Sequence, residues 1–394
     1  MQRLFQLMSD KKASDMFMAV GSPINIKING MLVPINQQVM DVATIRALLE
    51  EVVKPEDFEV LVETQELNTA VGAPGIGRFR ISVFYQRGTI SAVLRFIQNE
   101  VPAIETLALP ATLPSVIMER RGLMLVVGST GSGKSTTIAS LLDYRNRVSS
   151  GHILTLEDPV EFVFKNKKSI VNQREIGTDA KSFEIALKNA LRQAPDVIFI
   201  GEIRDKDTMS QAIAYAQSGH LCVATLHANN SYQALSRIIG FYPLEARPPL
   251  LADLSVTLRC IVSQRLVKKP DGTRTPAAEV LLNSKHIAEL MEKGDIDGIR
   301  EAMQKSLSPG SQTFEQALYE MYSNGTISLE EALGAADSAN NLQWLINNTQ
   351  HKGGNSHGNG AAKKAEVTID PAQAALAEAP AQSLSFDSFE LKTD

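Results

Sequence analysis

Residues 122–137 read GLMLVVGSTGSGKSTT, an apolar run that closes on Gly128-x4-Gly133-Lys134-Ser135 and continues into residues suited to a helix. A glycine loop between a strand and a helix lets successive backbone N–H groups close around phosphate, with the positive end of the helix dipole behind them. The expected cradle is Gly128, Ser129, Thr130, Gly131, Ser132, Gly133, Lys134, Ser135 and Thr136. In such a loop the lysine, here Lys134, bridges the β and γ phosphates of a nucleoside triphosphate, and the hydroxyl of Ser135 holds Mg²⁺.

Beyond the loop the text alternates between apolar strands and amphipathic helices. HILTLED, DVIFIGE and HLCVATLH read as strands. Between them, Phe183, Ala186, Leu187, Ala190 and Leu191 recur at helical spacing before Pro195, and Met209, Ala212, Ile213 and Ala216 mark a second helix that ends at Gly219. Strand and helix in alternation imply an α/β fold with a mostly parallel sheet and helices on its faces, here over residues 116–283. Residues 284–348 read as helices only. Phe314, Ala317, Leu318, Met321 and Tyr322 share a face there, and Ser328 with Glu331 reads as a capping box.

Residues 1–100 have a different rhythm. INIKINGMLVPI alternates around Asn29-Gly30 as a hairpin, ATIRALLEEVV is helical, and GRFRISVFYQ with TISAVLRFI forms a second strand pair about Arg87-Gly88. This is a small α+β domain, followed by a proline-punctuated linker at 101–115. Residues 349–394 are rich in Gly, Ala, Asn and Pro and read as a disordered tail, whose SLSFDSFEL segment is either a plain unstructured end or a docking motif.

Composition narrows the partners. The chain has 394 residues, enough for two or three domains, and 39 basic against 44 acidic residues leave a net charge of −5. No global basic field advertises nucleic acid or anionic lipid, so direct nucleic-acid binding is not expected. Cys222 and Cys260 are too few for a disulfide framework or a four-cysteine zinc site, which suits a reducing compartment. Neither MQRLFQLMSDKK nor LMLVV is long enough in apolar residues for a signal peptide or a membrane span. The expectation is a cytoplasmic protein that reaches any membrane by docking on partners, without insertion.

Several side chains stand where chemistry is expected. Glu202 closes the apolar strand DVIFIGE, which puts a carboxylate beside the metal and the attacking water and makes Glu202 the first choice for polarising that water. Glu157, Asp158 and Glu161 of LEDPVEF follow another strand end, where ligands of such sheets bind, although acidic residues there are often only solvated loop. His220 and His227 lie seven apart, on opposite faces of a regular strand, and His227 at its end is placed to sense a γ-phosphate. Arg78 and Arg80 share a strand face, with Arg95 on the next strand. They read either as a solvated basic edge or as arginine fingers offered to a neighbour's triphosphate.

GSTGSGKSTT, LEDPVEF, DVIFIGEIRD and GHLCVATLHANN, in this order, resemble the Walker A, Asp, Walker B and His boxes of the secretion ATPases of type II and type IV pilus systems. Within that superfamily the sequence is similar to the PilT/PilU branch of hexameric motors linked to pilus retraction. The resemblance implies a RecA-like P-loop core, an N-terminal PAS-like domain, ATP and Mg²⁺ as cofactors, and Glu161 and Glu202 as candidate catalytic glutamates, the general base left open between them. It makes His220 and His227 His-box residues, Ser135 and Glu202 the metal contacts, and Arg78, Arg80 and Arg95 the arginine fingers. Where the retraction motors carry Ala-Ile-Arg-Asn-Leu-Ile-Arg-Glu, this chain has His286-Ile-Ala-Glu-Leu-Met-Glu-Lys293. Ala288 and Glu292 thus replace both arginines, and Phe17 replaces a histidine near the N-terminus. These departures, with the tail, resemble the accessory PilU members.

The implied function is a homohexameric ATPase that drives pilus retraction with a PilT-like ATPase, docked on a platform protein at the inner-membrane pilus base. Two alternatives stand beside it: a nucleotide-binding ring that stabilises such a motor without its own turnover, and an assembly or DNA-translocating ATPase with the same core.

Overall fold

The computed structural model describes residues 1–352 except Asn29, 98–99 and 306–308. Asn29 of the expected hairpin turn and the SLSFDSFEL segment therefore lie outside the described residues.

The first hundred residues build an antiparallel sheet. Helix α1 (Gln2–Asp10) precedes β1 (Asp15–Met18), β2 (Asn25–Ile28) and β3 (Met31–Pro34); α2 (Val42–Glu50) and α3 (Pro55–Thr64) follow, then β4 (Glu66–Ala73), β5 (Gly77–Gln86) and β6 (Thr89–Ile97). The order across the sheet is β3-β2-β1-β6-β5-β4. In β5 the alternation decides the faces: Phe79, Ile81 and Val83 are buried, while Arg78, Arg80 and Ser82 lie on the wetter side. Phe5 of α1 stacks on Phe79 with ring centroids 3.9 Å apart, fixing the first helix against the buried face. The β5–β6 turn is the expected Arg87-Gly88, both at positive φ (49° and 75°), as a two-residue hairpin loop requires.

After α4 (Leu113–Ile117), the second sheet begins. It is built from β7 (Gly122–Val127), α5 (Lys134–Val148), β8 (Gly151–Glu157), β9 (Ser169–Glu175), α6 (Phe183–Ala190), β10 (Val197–Ile200), α7 (Lys206–Gln217), β11 (Leu221–Leu226), α8 (Ser231–Gly240), α9 (Arg247–Thr257), β12 (Leu258–Lys268) and β13 (Arg274–Leu282). Its order is β13-β12-β7-β11-β10-β8-β9. Every pairing is parallel except the β12–β13 hairpin. Every residue of β7, β10 and β11 is buried. Helices cover both faces, so these strands need no polar side and read as unbroken apolar runs. Side chains of Ser182, Asp205 and Asn230 cap α6, α7 and α8, which starts each helix at a defined residue.

The last described elements are α10 (Lys285–Glu292), α11 (Ile296–Gln304), α12 (Phe314–Ser323), α13 (Leu329–Ala335) and α14 (Ala339–Lys352). Phe314, Ala317 and Leu318 form the buried face of α12 as the spacing predicts. The Ser328–Glu331 capping box forms only by half. Ser328 Oγ accepts the Glu331 N–H at 3.1 Å, but the Glu331 carboxylate accepts the Lys268 N–H at 2.8 Å instead of turning back. The complete box belongs to Thr313 and Gln316 at the start of α12. Among the described residues no helix is long and apolar enough to cross a membrane.

Candidate active site

The site grows from the carboxyl end of β7. Gly128 sits at φ 153°, and a Cβ there would stand 2.4 Å from Ser132 Oγ and 2.6 Å from the Gln264 carbonyl oxygen. At Gly133, with φ 91°, a Cβ would meet Gln264 Nε2 at 2.7 Å. Any side chain at either position would push the loop off β12. Gln264 also accepts the Thr137 hydroxyl at 2.7 Å, so one buried amide on β12 pins both the loop and the first turn of α5. Lys134 Nζ donates to the carbonyl oxygens of Gly128 and Ser129 at 2.9 and 2.8 Å, folded over its own loop. Burial lowers its pKa, and the charges of Glu202 and Glu161 pull the other way, which places both carboxylates in the field of the amine.

Glu202 follows β10 through Gly201, whose N–H donates to the Leu156 carbonyl at 2.7 Å and whose carbonyl accepts the Thr225 hydroxyl. The segment is thereby stitched to strands on both sides. One Glu202 oxygen accepts Arg204 Nε at 2.7 Å, and the other lies 3.1 Å from His227 Nε2. His227 comes directly after β11, the parallel neighbour of β10, which brings the two side chains level.

The LEDPVEF loop lies across from them and is fastened by β9. Gln173 donates to the Phe162 carbonyl at 2.7 Å and to Glu157 Oε1 at 3.1 Å, and accepts the Phe164 N–H at 2.8 Å. Glu175 accepts the Val160 N–H at 3.0 Å. Glu157 is buried against Thr155, whose hydroxyl donates to it at 2.6 Å, and burial pushes its carboxyl up to about 7. Among the described residues the Glu161 carboxylate accepts no hydrogen bond from a side chain or capping amide. A cleft of about 210 Å³ is enclosed by these parts, lined by Lys134, Ser135, Glu157, Glu161, Glu202, Thr225 and His227, with Phe162, Phe164 and Phe199 as apolar walls.

The structure thus brings together the loop, Glu161, Glu202 and His227. It does not bring His220 to them: that ring precedes β11, at the end opposite His227, and lies 3.0 Å from Ser218 Oγ. The three arginines also stand outside this chain's cleft. Arg95 pairs with Asp15 at 2.8 Å, and Arg78 pairs with Glu175 at 3.1 Å. Arg80 lies opposite Arg95 in the ladder and has no ion pair among the described residues. No motif or spacing in the sequence marks Gln264, Gln173 or Glu175. The last two sit on β9, whose polar edge pattern gives little strand signal.

A glycine cradle, a lysine and carboxylates gathered at the carboxyl ends of parallel strands define a P-loop ATPase of RecA-like architecture. Residues 2–334 match the family model described as type II/IV secretion system protein, and the chain belongs to that family. It is 46% identical over 346 residues to the type IV pilus ATPase PilU of Pseudomonas aeruginosa, covering 88% of this chain and 91% of that protein. It is 37% identical to the type IV pilus retraction ATPase PilT of the same organism, covering 81% of this chain and 93% of that one. The crystal structure of the pilus retraction motor PilT with bound ADP superposes with a TM-score of 0.82 at 39% identity, over 87% of this chain and 99% of that one.

Proposed function

We propose that this chain is a homohexameric motor that spends ATP on type IV pilus retraction, working beside a PilT-like ATPase and docked from the cytoplasm on an inner-membrane platform protein. The observation that supports turnover most directly is the convergence of Lys134, Glu161, Glu202 and His227 on one cleft. A ring kept only as scaffold has no need of that convergence. In this reading residues 1–100 act as a domain hinged at 101–115 against the core, and the motion between them is the stroke.

Each residue then has a task. Lys134 leaves two neutral carbonyls for the β and γ phosphates, exchanging ordinary hydrogen bonds for charge-assisted ones. The donor set fits Mg²⁺, with the Ser135 hydroxyl and the Glu202 carboxylate beside the phosphate positions, and the ion would neutralise charge on the triphosphate. Glu161 takes the proton of the attacking water, because its own carboxylate is uncommitted while Glu202, already facing Arg204 and His227, is given to the metal. His227 reports the state of the cleft through Glu202. Arg80, with Arg78 and Arg95, completes a neighbouring subunit's site.

Mg²⁺-dependent ATP hydrolysis by the purified chain, with Glu202→Gln as control, tests this. Turnover that disappears in the control supports the motor. Bound ATP without turnover, at hexameric mass, returns the chain to the role of stabilising ring. In cells whose PilT is inactive, Lys134→Ala should abolish any remaining retraction.

A further inference from the structure

One carboxylate oxygen joins the two sheets. Glu175 Oε2 accepts both the Val160 N–H at 3.0 Å and Arg78 Nη2 at 3.1 Å. Val160 is the residue before Glu161, and Arg78 belongs to β5 of the N-terminal sheet. Glu175 ends β9 in register with Glu157, so it stands at the same strand ends that form the cleft. Its other oxygen accepts the Thr178 hydroxyl at 3.2 Å, and its side chain is only 6% exposed. A carboxylate this deep loses most of its hydration, and without a cation it is strongly disfavoured there. Arg78 is that cation. Its own satisfaction is incomplete: Nε is buried and has no hydrogen-bond partner. A guanidinium presents five donors and prefers bidentate anions, so this single contact leaves Arg78 ready for a better acceptor.

We propose that Glu175 is a positioning residue. Through the Val160 N–H it places the loop carrying Glu161, and it can hold that place only while Arg78 neutralises it. Arg78 exchanges Glu175 for the triphosphate of a neighbouring copy, so docking of the N-terminal sheet and placement of Glu161 are coupled. The exchange step rests on the motor reading above, whereas the tether itself does not.

The test is a double-variant cycle on the full chain, read by hydrogen exchange at the Val160 amide and by steady-state hydrolysis. Arg78→Ala should speed Val160 exchange by about ten-fold or more, because it leaves a carboxylate that is only 6% exposed without its cation. Glu175→Gln keeps an oxygen for Val160 but carries no charge to neutralise. In that background Arg78→Ala should change exchange by less than about two-fold. Glu175→Gln alone should leave Tm and KM nearly unchanged and raise kcat by about two- to five-fold, because Arg78 is no longer held back. Equal acceleration by Arg78→Ala in both backgrounds would overturn the tether even in an active ATPase. A chain with the expected exchange pattern but no hydrolysis would keep the tether and overturn the exchange with triphosphate.

Discussion

The two sheets of this chain handle polarity in opposite ways. β7, β10 and β11 are buried on both faces and have no wet side, so all of their chemistry is displaced to their carboxyl ends, where Lys134, Glu202 and His227 meet. β5 keeps one face apolar and sets Arg78, Arg80 and Ser82 along the other. A fully covered strand concentrates function at a point, and a half-covered strand spreads it over a surface. The cleft in one chain consequently contains its lysine and its carboxylates, while Arg78, Arg80 and Arg95 lie on the face of the other sheet.

That contrast can be broken at several places. The largest effect should come at the strand ends. Lys134→Ala should lower kcat/KM for ATP by about 10³-fold or more, roughly 4 kcal/mol of transition-state stabilisation, with little change in Tm. Hydrolysis within ten-fold of wild type would show that the chemistry does not sit there. Next is the doubly covered interior: Leu154→Ala, at a fully buried position of β8, should reduce stability to denaturant by about 3 kcal/mol. Ser82→Ala on the wetter face of β5 should stay within about 0.5 kcal/mol. If the two losses were alike, the distinction between the sheets would fail.

Glu157 sharpens the comparison through pH. Its carboxyl ionises at about 7 in the fold and near 4.5 when free. The folded pKa is the raised one, so burying this group costs nothing below pH 4.5, costs progressively more between 4.5 and 7, and reaches its full penalty above 7. Glu157→Gln should therefore gain about 3 kcal/mol of stability at pH 8 and almost nothing at pH 4.5, measured by denaturant unfolding at both values. A gain that does not vary with pH would place the effect in packing instead. The smallest change belongs to the wet sheet. Arg95 is 65% exposed in its pair with Asp15, and Arg95→Ala should lower stability by less than about 1 kcal/mol. On the proposed motor reading, steady-state hydrolysis should fall far more than stability does.

Legibility cut across the two sheets, since the hairpins β2–β3 and β5–β6 of the first were readable from their alternation and turns. In the second sheet β7, β8, β10 and β11 announced themselves as apolar runs, with α5, α6 and α7 among them, whereas α8, α9 and the hairpin β12–β13 were not legible. Nor was β9, because Ile170 and Val171 are its only large apolar residues and it lies at the sheet edge. Missing it also hid Gln173 and Glu175, which hold the Asp-box loop. Gln264 is a lone amide inside SQRL, and nothing local to it tells that it reaches back to Thr137. The histidines read as a pair, but a strand of six residues lies between them, which leaves one at the cleft and the other at the far end. The Thr137–Gln264 contact spans 127 residues and leaves no periodic trace in the text.

The placement of Gln264 also sets a timetable. β7 has two neighbours in the sheet, β11 and β12, and both come later in the chain. At a synthesis rate of roughly 5–20 residues per second, the glycine loop leaves the ribosome on the order of ten seconds before the strand that pins it. Until then it has no wall to fold against. A product truncated before β12 carries the complete signature sequence but lacks the buried amide that pins the loop to the first turn of α5.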